Sequence, residues 1–468
     1  MKDIKFGTDG WRAIIAKDFT TDNVARVSYA VSEYLIEKFD KPSIVIGYDC
    51  RFGGYLFTES AIKVFVSMGI KVIRSNGFVS TPMVSLGVVN HNADLGIVIT
   101  ASHNPPSYNG YKLKANFGGP LLPNEIHDVE LRIPQHNTID LDKIDLDNKQ
   151  FESLITHVDL ETEYCEHANC SFDIETIRKS GLKIAYDSMF GAGRNVIRNL
   201  LPEAIQIHDD NNPSFNGISP EPIYKNLLEL SEYIKSNNID IGLATDGDAD
   251  RIGLINGKGE FIDSHHIILL LIHYLVKYRG WKGKVVVAFS CSVKIKKMCD
   301  FYNLDLEIVK IGFKHIAGKM MSEDILLGGE ESGGIATKGH LPERDGIWMG
   351  LILFEFLAKS GKSIDELINE VYNIVGTFSF ERLDLNIDEE LKKLIILNCE
   401  NNKYNSFGNY KVQSSEDLDG FKYFFDEDSW VMIRPSGTEP VLRIYAESYN
   451  KDKCLDILES TKKVLINN

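Results

Sequence analysis

The sequence predicts an α/β protein with helices flanking largely parallel sheets and a smaller α+β unit at the C-terminus. Three observations carry this expectation. Short β-branched runs end at turn or polar residues, longer stretches with apolar residues at helical spacing separate them, and the texture changes after about residue 375. Strand–helix–strand order of this kind covers a sheet with helices on both faces.

The first strand-like runs are residues 43–49, 71–74 and 95–100. Between the first two, residues 58–68 place Ile62, Phe65 and Val66 at helical spacing. The pattern returns at 183–187 and 240–244, and again at 284–289 and 324–327. The three stretches are candidate structural duplicates, although residue identity does not demonstrate it. Residues 133–150, with Pro134, several Asp and alternating polarity, read as a connector, and Asn256-Gly257-Lys258-Gly259 reads as a turn that closes a second unit. Beyond 375 come a strand at 377–380, a helix from Asp388 to about Cys399, and further strands. The expected units are therefore 1–150, 151–256, 257–375 and 376–468.

Composition narrows the function without naming it. The 468 residues are 43% hydrophobic and 25% charged, ordinary values for a soluble globular protein. No apolar run is long enough to span a bilayer and the start has no secretory pattern, so a cytoplasmic location with no membrane partner is expected. Seven scattered cysteines without zinc spacing, Cys165 and Cys170 being the closest pair, fit reduced thiols. A net charge of −16 argues against a nucleic-acid partner and requires locally concentrated cations for any anionic substrate.

The chemistry sits in loops that follow strands, where open α/β sheets carry their ligands. In Thr245-Asp246-Gly247-Asp248-Ala249-Asp250-Arg251, three carboxylates at alternate positions converge on one hard cation, and the arginine suits a phosphate. An EF-hand needs Gly at position six and Glu at position twelve of its loop, and here those places hold Arg251 and Gly257. The remaining reading is a Mg²⁺ site that keeps room for a phosphate oxygen. A second loop, Thr100-Ala101-Ser102-His103-Asn104-Pro105-Pro106, presents a serine stiffened by two prolines, and Asn109-Gly110-Tyr111-Lys112 brings a lysine back towards it. Serine is a poor nucleophile unless a base or metal stands beside it. The third, Gly328-Gly329-Glu330-Glu331-Ser332-Gly333-Gly334, offers acceptors and a donor to sugar hydroxyls between glycine pairs. The fourth, Arg434-Pro435-Ser436-Gly437-Thr438-Glu439-Pro440 with Arg443 beyond it, suits a phosphate dianion. Gly7-Thr8-Asp9-Gly10-Trp11-Arg12 and Gly312-Phe313-Lys314-His315 complete the set.

In this order the motifs resemble those of the α-D-phosphohexomutase family, the phosphoglucomutases and phosphomannomutases, over essentially the whole chain. The resemblance implies three related α/β domains with mixed sheets flanked by helices, and a fourth α+β domain, around a central cleft. It implies that Ser102 is a phosphoserine and that Asp246, Asp248 and Asp250 hold Mg²⁺ together with its phosphate. Glu330 and Ser332 would bind sugar hydroxyls. Arg434, Ser436, Gly437, Thr438 and Arg443 would hold the phosphate that is not transferred. Arg12, His103, Lys112, Arg251 and Lys314 would surround the transferring phosphate, with Lys314 and His103 as acid/base candidates. The implied partners are small hexose phosphates, with a hexose 1,6-bisphosphate as intermediate and activator.

The Glu330-Glu331-Ser332 loop resembles that of glucose-handling members, whereas phosphoglucosamine mutases carry Gln or another residue between the Glu and the Ser. The start Phe6-Gly7-Thr8-Asp9-Gly10-Trp11-Arg12-Ala13 also departs from their pattern. The expectation is therefore a phosphoglucomutase, with phosphomannomutase activity beside it, and a phosphoglucosamine mutase as the alternative. Two more distant classes fit less well. A metal-dependent sugar phosphatase needs no remote phosphate loop, and a non-catalytic sugar-phosphate binder needs no serine and metal carboxylates together.

Overall fold

The computed structural model describes residues 4–435 and 441–467. In the first sheet, Lys71–Phe78 and Leu95–Ile99 flank Ser43–Tyr48 in parallel, and Tyr108–Ala115 returns antiparallel beside Leu95–Ile99. The same arrangement recurs with Ile184–Asp187, Ile205–Ile207, Ile241–Thr245 and Ile252–Asn256. It recurs again with Lys284–Ala288, Leu306–Val309, Ile325–Gly329 and Ile335–Thr337. Each unit thus runs second, first, third, fourth across its sheet, with the fourth strand reversed. The duplication that residue identity left open is plain in the topology.

This repeat positions the chemistry. The turn from third to fourth strand is residues 100–107 in the first unit, 246–251 in the second and 330–334 in the third. These turns are the serine, carboxylate and glutamate loops, each delivered by the C-terminal end of a buried strand. The fourth unit is different: an antiparallel sheet ordered Ser379–Asn386, Val441–Ser448, Trp430–Pro435, Phe421–Phe424 and Ser414–Glu416. Glu389–Glu400, capped by Asp388, and Lys451–Asn467 pack on it.

Two expected boundaries fall short of the sheets. Ile155–Val158 pairs with Lys71–Phe78 at the edge of the first sheet, past residue 150, and Phe261–Ile262 pairs with Ile252–Asn256, past residue 256. Both are short edge strands, too brief to carry a readable alternation.

One continuous apolar core joins the first three units, running from Val45 and Met83 through Tyr186 and Leu243 to Val287 and Phe356. At its centre lies Gly346–Ser360, apolar almost all round as a helix buried on every side must be. Asp345 caps it by accepting from the Trp348 N–H. The fourth unit keeps its own core and meets the third through Phe289, Trp430, Met432 and Tyr445. All seven cysteines are free thiols. Among the described residues, no helix is long and apolar enough to cross a membrane.

Candidate functional site

The first two loops meet face to face. Ser102 is fully buried in a left-handed conformation with φ 52°, and its Oγ donates to Asp246 Oδ2 at 2.7 Å. Gly247 permits the approach, because a Cβ there would lie 2.7 Å from the Ser102 carbonyl oxygen. His103 Nδ1 is 3.3 Å from Ser102 Oγ. Burial, then the charges of Arg251, Arg12, Arg51 and Lys112, hold the His103 imidazole well below its usual pKa, so it is neutral near pH 7.

Asp246, Asp248 and Asp250 are completely buried, and one oxygen from each lies within 4.8 Å of the others. Burial, followed by Asp248 and Asp250, pushes the Asp246 carboxyl well above the usual carboxylate range. Asp248 is also opposed by burial, but Lys112 and the Thr81 hydroxyl outweigh this and hold it low. Among the described residues, Asp248 Oδ1 and Asp250 Oδ1 have no hydrogen-bond partner. Unsatisfied buried carboxylate oxygens are costly, and a hard divalent cation that takes oxygen ligands is the group that fits them.

Around the triad stand the expected cations. Arg251 Nε lies 3.9 Å from Asp246 and 3.8 Å from Asp250, in ion-pair range without a hydrogen bond. Arg12 donates to the Asn104 side chain at 2.8 Å, which sets it over the serine loop. Lys112, expected beside the transferring phosphate, directs its ammonium to Asp9, Asp248 and Asp250 at 2.7, 2.6 and 2.9 Å. It therefore neutralises the triad from behind.

From the triad a polar path runs to the other loops. Arg344 donates to Asp250 at 2.6 Å and also pairs with Asp9, and its Nη1 is 3.9 Å from Glu330 Oε2. Glu330 Oε1 accepts from the Gly312 N–H at 3.0 Å, and burial raises its carboxyl to about 7 against the pull of Arg344. Gly312 has φ 127°, which lets the chain turn against Thr8 into the helix Phe313–Ser322. That turn presents Lys314, which has no hydrogen-bond or ion-pair partner among the described residues. The adjacent Ile311 N–H donates to Asp419, whose other oxygen accepts from Arg434 Nε at 3.2 Å. Ser332 is half-buried in its loop, while Glu331 accepts from Ser290 at 2.6 Å. Arg443 pairs in register with Arg434. Ser436, Gly437 and Thr438 lie outside the described residues.

Sequence reasoning gave no role to the groups that join the loops: Arg51, Arg344, Asp9, Lys114, Glu343 and Asp419. Lys114 and Glu343 form a buried pair at 2.6 Å. Burial alone would raise Asp9, but Lys112, Lys114 and Arg344 hold it well below the usual range. A signal existed for three of them. Asp49-Cys50-Arg51 follows a predicted strand at its ligand-bearing end, and Glu343-Arg344-Asp345 is a dense charge run just before an apolar helix.

Three repeated α/β units and an antiparallel fourth, with serine, carboxylate and glutamate loops strung on one polar path, define the phosphohexomutase class. Family models described as phosphoglucomutase/phosphomannomutase match all four: alpha/beta/alpha domain I at residues 3–139, domain II at 162–259, domain III at 263–375, and the C-terminal domain at 400–463. The chain belongs to this family. It is 31% identical to a phosphoglucosamine/phosphogalactosamine mutase of Sulfurisphaera tokodaii, over 98% of both chains. It is 30% identical, again over 98% of both, to a phosphoglucomutase/phosphomannomutase of Thermococcus kodakarensis. A crystal structure from Thermus thermophilus, provisionally named a phosphomannomutase, superposes with a TM-score of 0.87 at 29% identity, covering 99% of both chains.

Proposed function

We propose that this phosphohexomutase interconverts the 1- and 6-phosphates of a 2-amino-hexose through a phosphorylated Ser102 and a hexose 1,6-bisphosphate. The observation that carries the mechanism is the buried Ser102 hydroxyl 2.7 Å from Asp246, a member of a triad with two carboxylate oxygens that have no hydrogen-bond partner among the described residues. The choice of sugar departs from the glucose preference read from the Glu330-Glu331-Ser332 loop. It is supported by the name of the Sulfurisphaera relative, and phosphoglucosamine mutase recurs as a name among bacterial relatives. Glucose and mannose phosphates are the second reading, favoured by the name of the Thermococcus relative.

Asp246, Asp248 and Asp250, with the serine oxygen, would hold Mg²⁺, which when bound supplies neutralising charge for the phosphoryl group. The protein's own residues supply the rest. A sugar hydroxyl oxygen attacks phosphorus, the bond from phosphorus to Ser102 Oγ breaks, and the hydroxyl proton passes to Ser102 Oγ. His103, neutral and 3.3 Å from that oxygen, is suited to hand on this proton, and Lys314 would serve the sugar side. Arg251 and Arg12 stabilise charge that spreads over the moving group. Glu330 and Ser332 orient the sugar, while Arg434 and Arg443 hold the resting phosphate. The bisphosphate then turns end for end and returns its other phosphoryl group to Ser102, so both orientations need comparable holds.

Intact-mass measurement after incubation with glucose 1,6-bisphosphate tests the carrier: phosphate is expected on residue 102 and absent in Ser102→Ala, which should lose nearly all activity. Label on another residue overturns the mechanism. Steady-state kinetics on glucosamine, glucose and mannose 1-phosphates ranks the sugars, and a higher kcat/KM for glucose overturns the hexosamine assignment.

A further inference from the structure

Arg51 holds the serine loop from behind. It follows the central strand Ser43–Tyr48, is 3% exposed, and lies with its Nε 3.3 Å from Asp49. Nη1 donates to the carbonyls of Pro105 and Tyr108 at 2.9 and 3.1 Å, and Nη2 to those of Ser102 and Asn104 at 2.5 and 2.6 Å. These four bonds fall on both sides of His103 and use every terminal N–H of the guanidinium. A second arm leaves Asp49: its Oδ2 accepts from the Thr100 hydroxyl at 2.5 Å, and that hydroxyl accepts from the Ser102 N–H at 2.9 Å. The N–H and the carbonyl of Ser102 are thus both tied to one Asp49–Arg51 unit. The metal loop packs on the same carbonyl, since a Cβ on Gly247 would stand 2.7 Å from it and 3.7 Å from Arg51 Nη2. Phe215 covers the guanidinium with its ring centre 5.0 Å away.

We propose that Arg51 is a positioning residue for phosphoryl transfer: with Asp49 and Thr100 it locks the left-handed backbone of Ser102, so that Oγ keeps one direction toward the carboxylate triad. Arg51 does not touch the phosphate, because its terminal donors are committed to backbone carbonyls. A locked loop is what this chemistry demands, since Ser102 must give and receive a phosphoryl group at the same point in both half-reactions. A lysine cannot replace the fork: its single ammonium lacks the planar spread that reaches four carbonyls. The inference rests on Ser102 being the carrier.

The test uses the full chain and glucose 1,6-bisphosphate as phosphoryl donor. In that step the bond from phosphorus to sugar oxygen breaks, a bond to Ser102 Oγ forms, and the serine proton moves to the sugar oxygen. Arg51→Lys should slow both single-turnover labelling of residue 102 and kcat by about 100-fold, as expected for misplacement by about 1 Å, with KM changed less than about threefold. Mg²⁺ affinity should fall far less than in Asp248→Asn, because all three carboxylates are retained and only the serine oxygen is displaced. Thr100→Val, which removes one arm, should cost about tenfold in labelling rate, and Thr100→Ser should restore it. If Arg51→Lys fails to fold, the Thr100 pair decides. A wild-type protein that takes no label on residue 102 overturns the carrier assignment. Normal labelling in the wild type together with an unslowed Arg51→Lys, or equal rates for Thr100→Val and Thr100→Ser, overturns the role of Arg51.

Discussion

Arg434 and Arg443 stand directly opposite each other on the two strands that lead into and out of the last hairpin. Like charges in this register repel. Asp419 accepts from Arg434 Nε, whereas Arg443 Nε is buried without a hydrogen-bond partner among the described residues. An anion between the two guanidiniums would relieve this repulsion, which supports the proposed hold on a resting phosphate.

Truncating this pair should therefore weaken binding. Each charge-assisted hydrogen bond is worth about 1.5–3 kcal/mol, so Arg434→Ala should raise the Michaelis constant by roughly ten- to a hundredfold, with a smaller fall in turnover. Arg251→Ala, beside the triad, should lower turnover instead. Steady-state kinetics on both variants draws the contrast, and an unchanged Michaelis constant in Arg434→Ala removes the remote-phosphate role.

The triad is tested by Asp248→Asn. The substitution takes one negative charge from a cluster whose proposed hold on Mg²⁺ would be electrostatic, so apparent Mg²⁺ affinity and turnover should both fall sharply. A Mg²⁺ titration indistinguishable from wild type would mean that the three carboxylates serve only the buried ion network.

Arg344 joins Asp9, Asp250, Glu330 and Glu343 while only 4% exposed. Removing one partner from a buried ion network strands the others, so Arg344→Ala should cost about 3–5 kcal/mol in urea unfolding. A loss below about 1 kcal/mol would show that water replaces the guanidinium.

His208 supplies a pH signature. Its hydrogen bond to Asp187, opposed by burial and assisted by the charges of Asp187 and Glu229, raises its pKa to about 9. The folded state therefore binds this proton more tightly than the unfolded chain, whose histidine titrates at about 6.5. The stabilisation is complete below about 6.5 and is lost as pH rises through about 9. The difference in unfolding free energy between wild type and His208→Gln should shrink over that window. A constant difference would place the proton elsewhere.

Much of the candidate site was legible because each of its loops is one contiguous run. Ser102 and His103 are neighbours, the three aspartates alternate, and each run follows an apolar strand whose periodicity marks the α/β class. Local spacing reports residue chemistry of this kind directly. What joins the runs left no such trace. Ser102 meets Asp246 across 144 positions and Arg344 meets Asp9 across 335, and no one-dimensional pattern encodes pairings so distant. The threefold repeat was visible only as three candidate stretches, because strand order and direction depend on packing that different apolar residues satisfy alike. Lys112 shows the same division. Its charge and nearness to the serine loop were visible, but the register that sets it opposite Val98 turns its ammonium to the carboxylates of two units. Chemical identity belongs to short stretches of chain, whereas direction and distance belong to the folded core, where burial makes each unpaired charge too costly to leave alone.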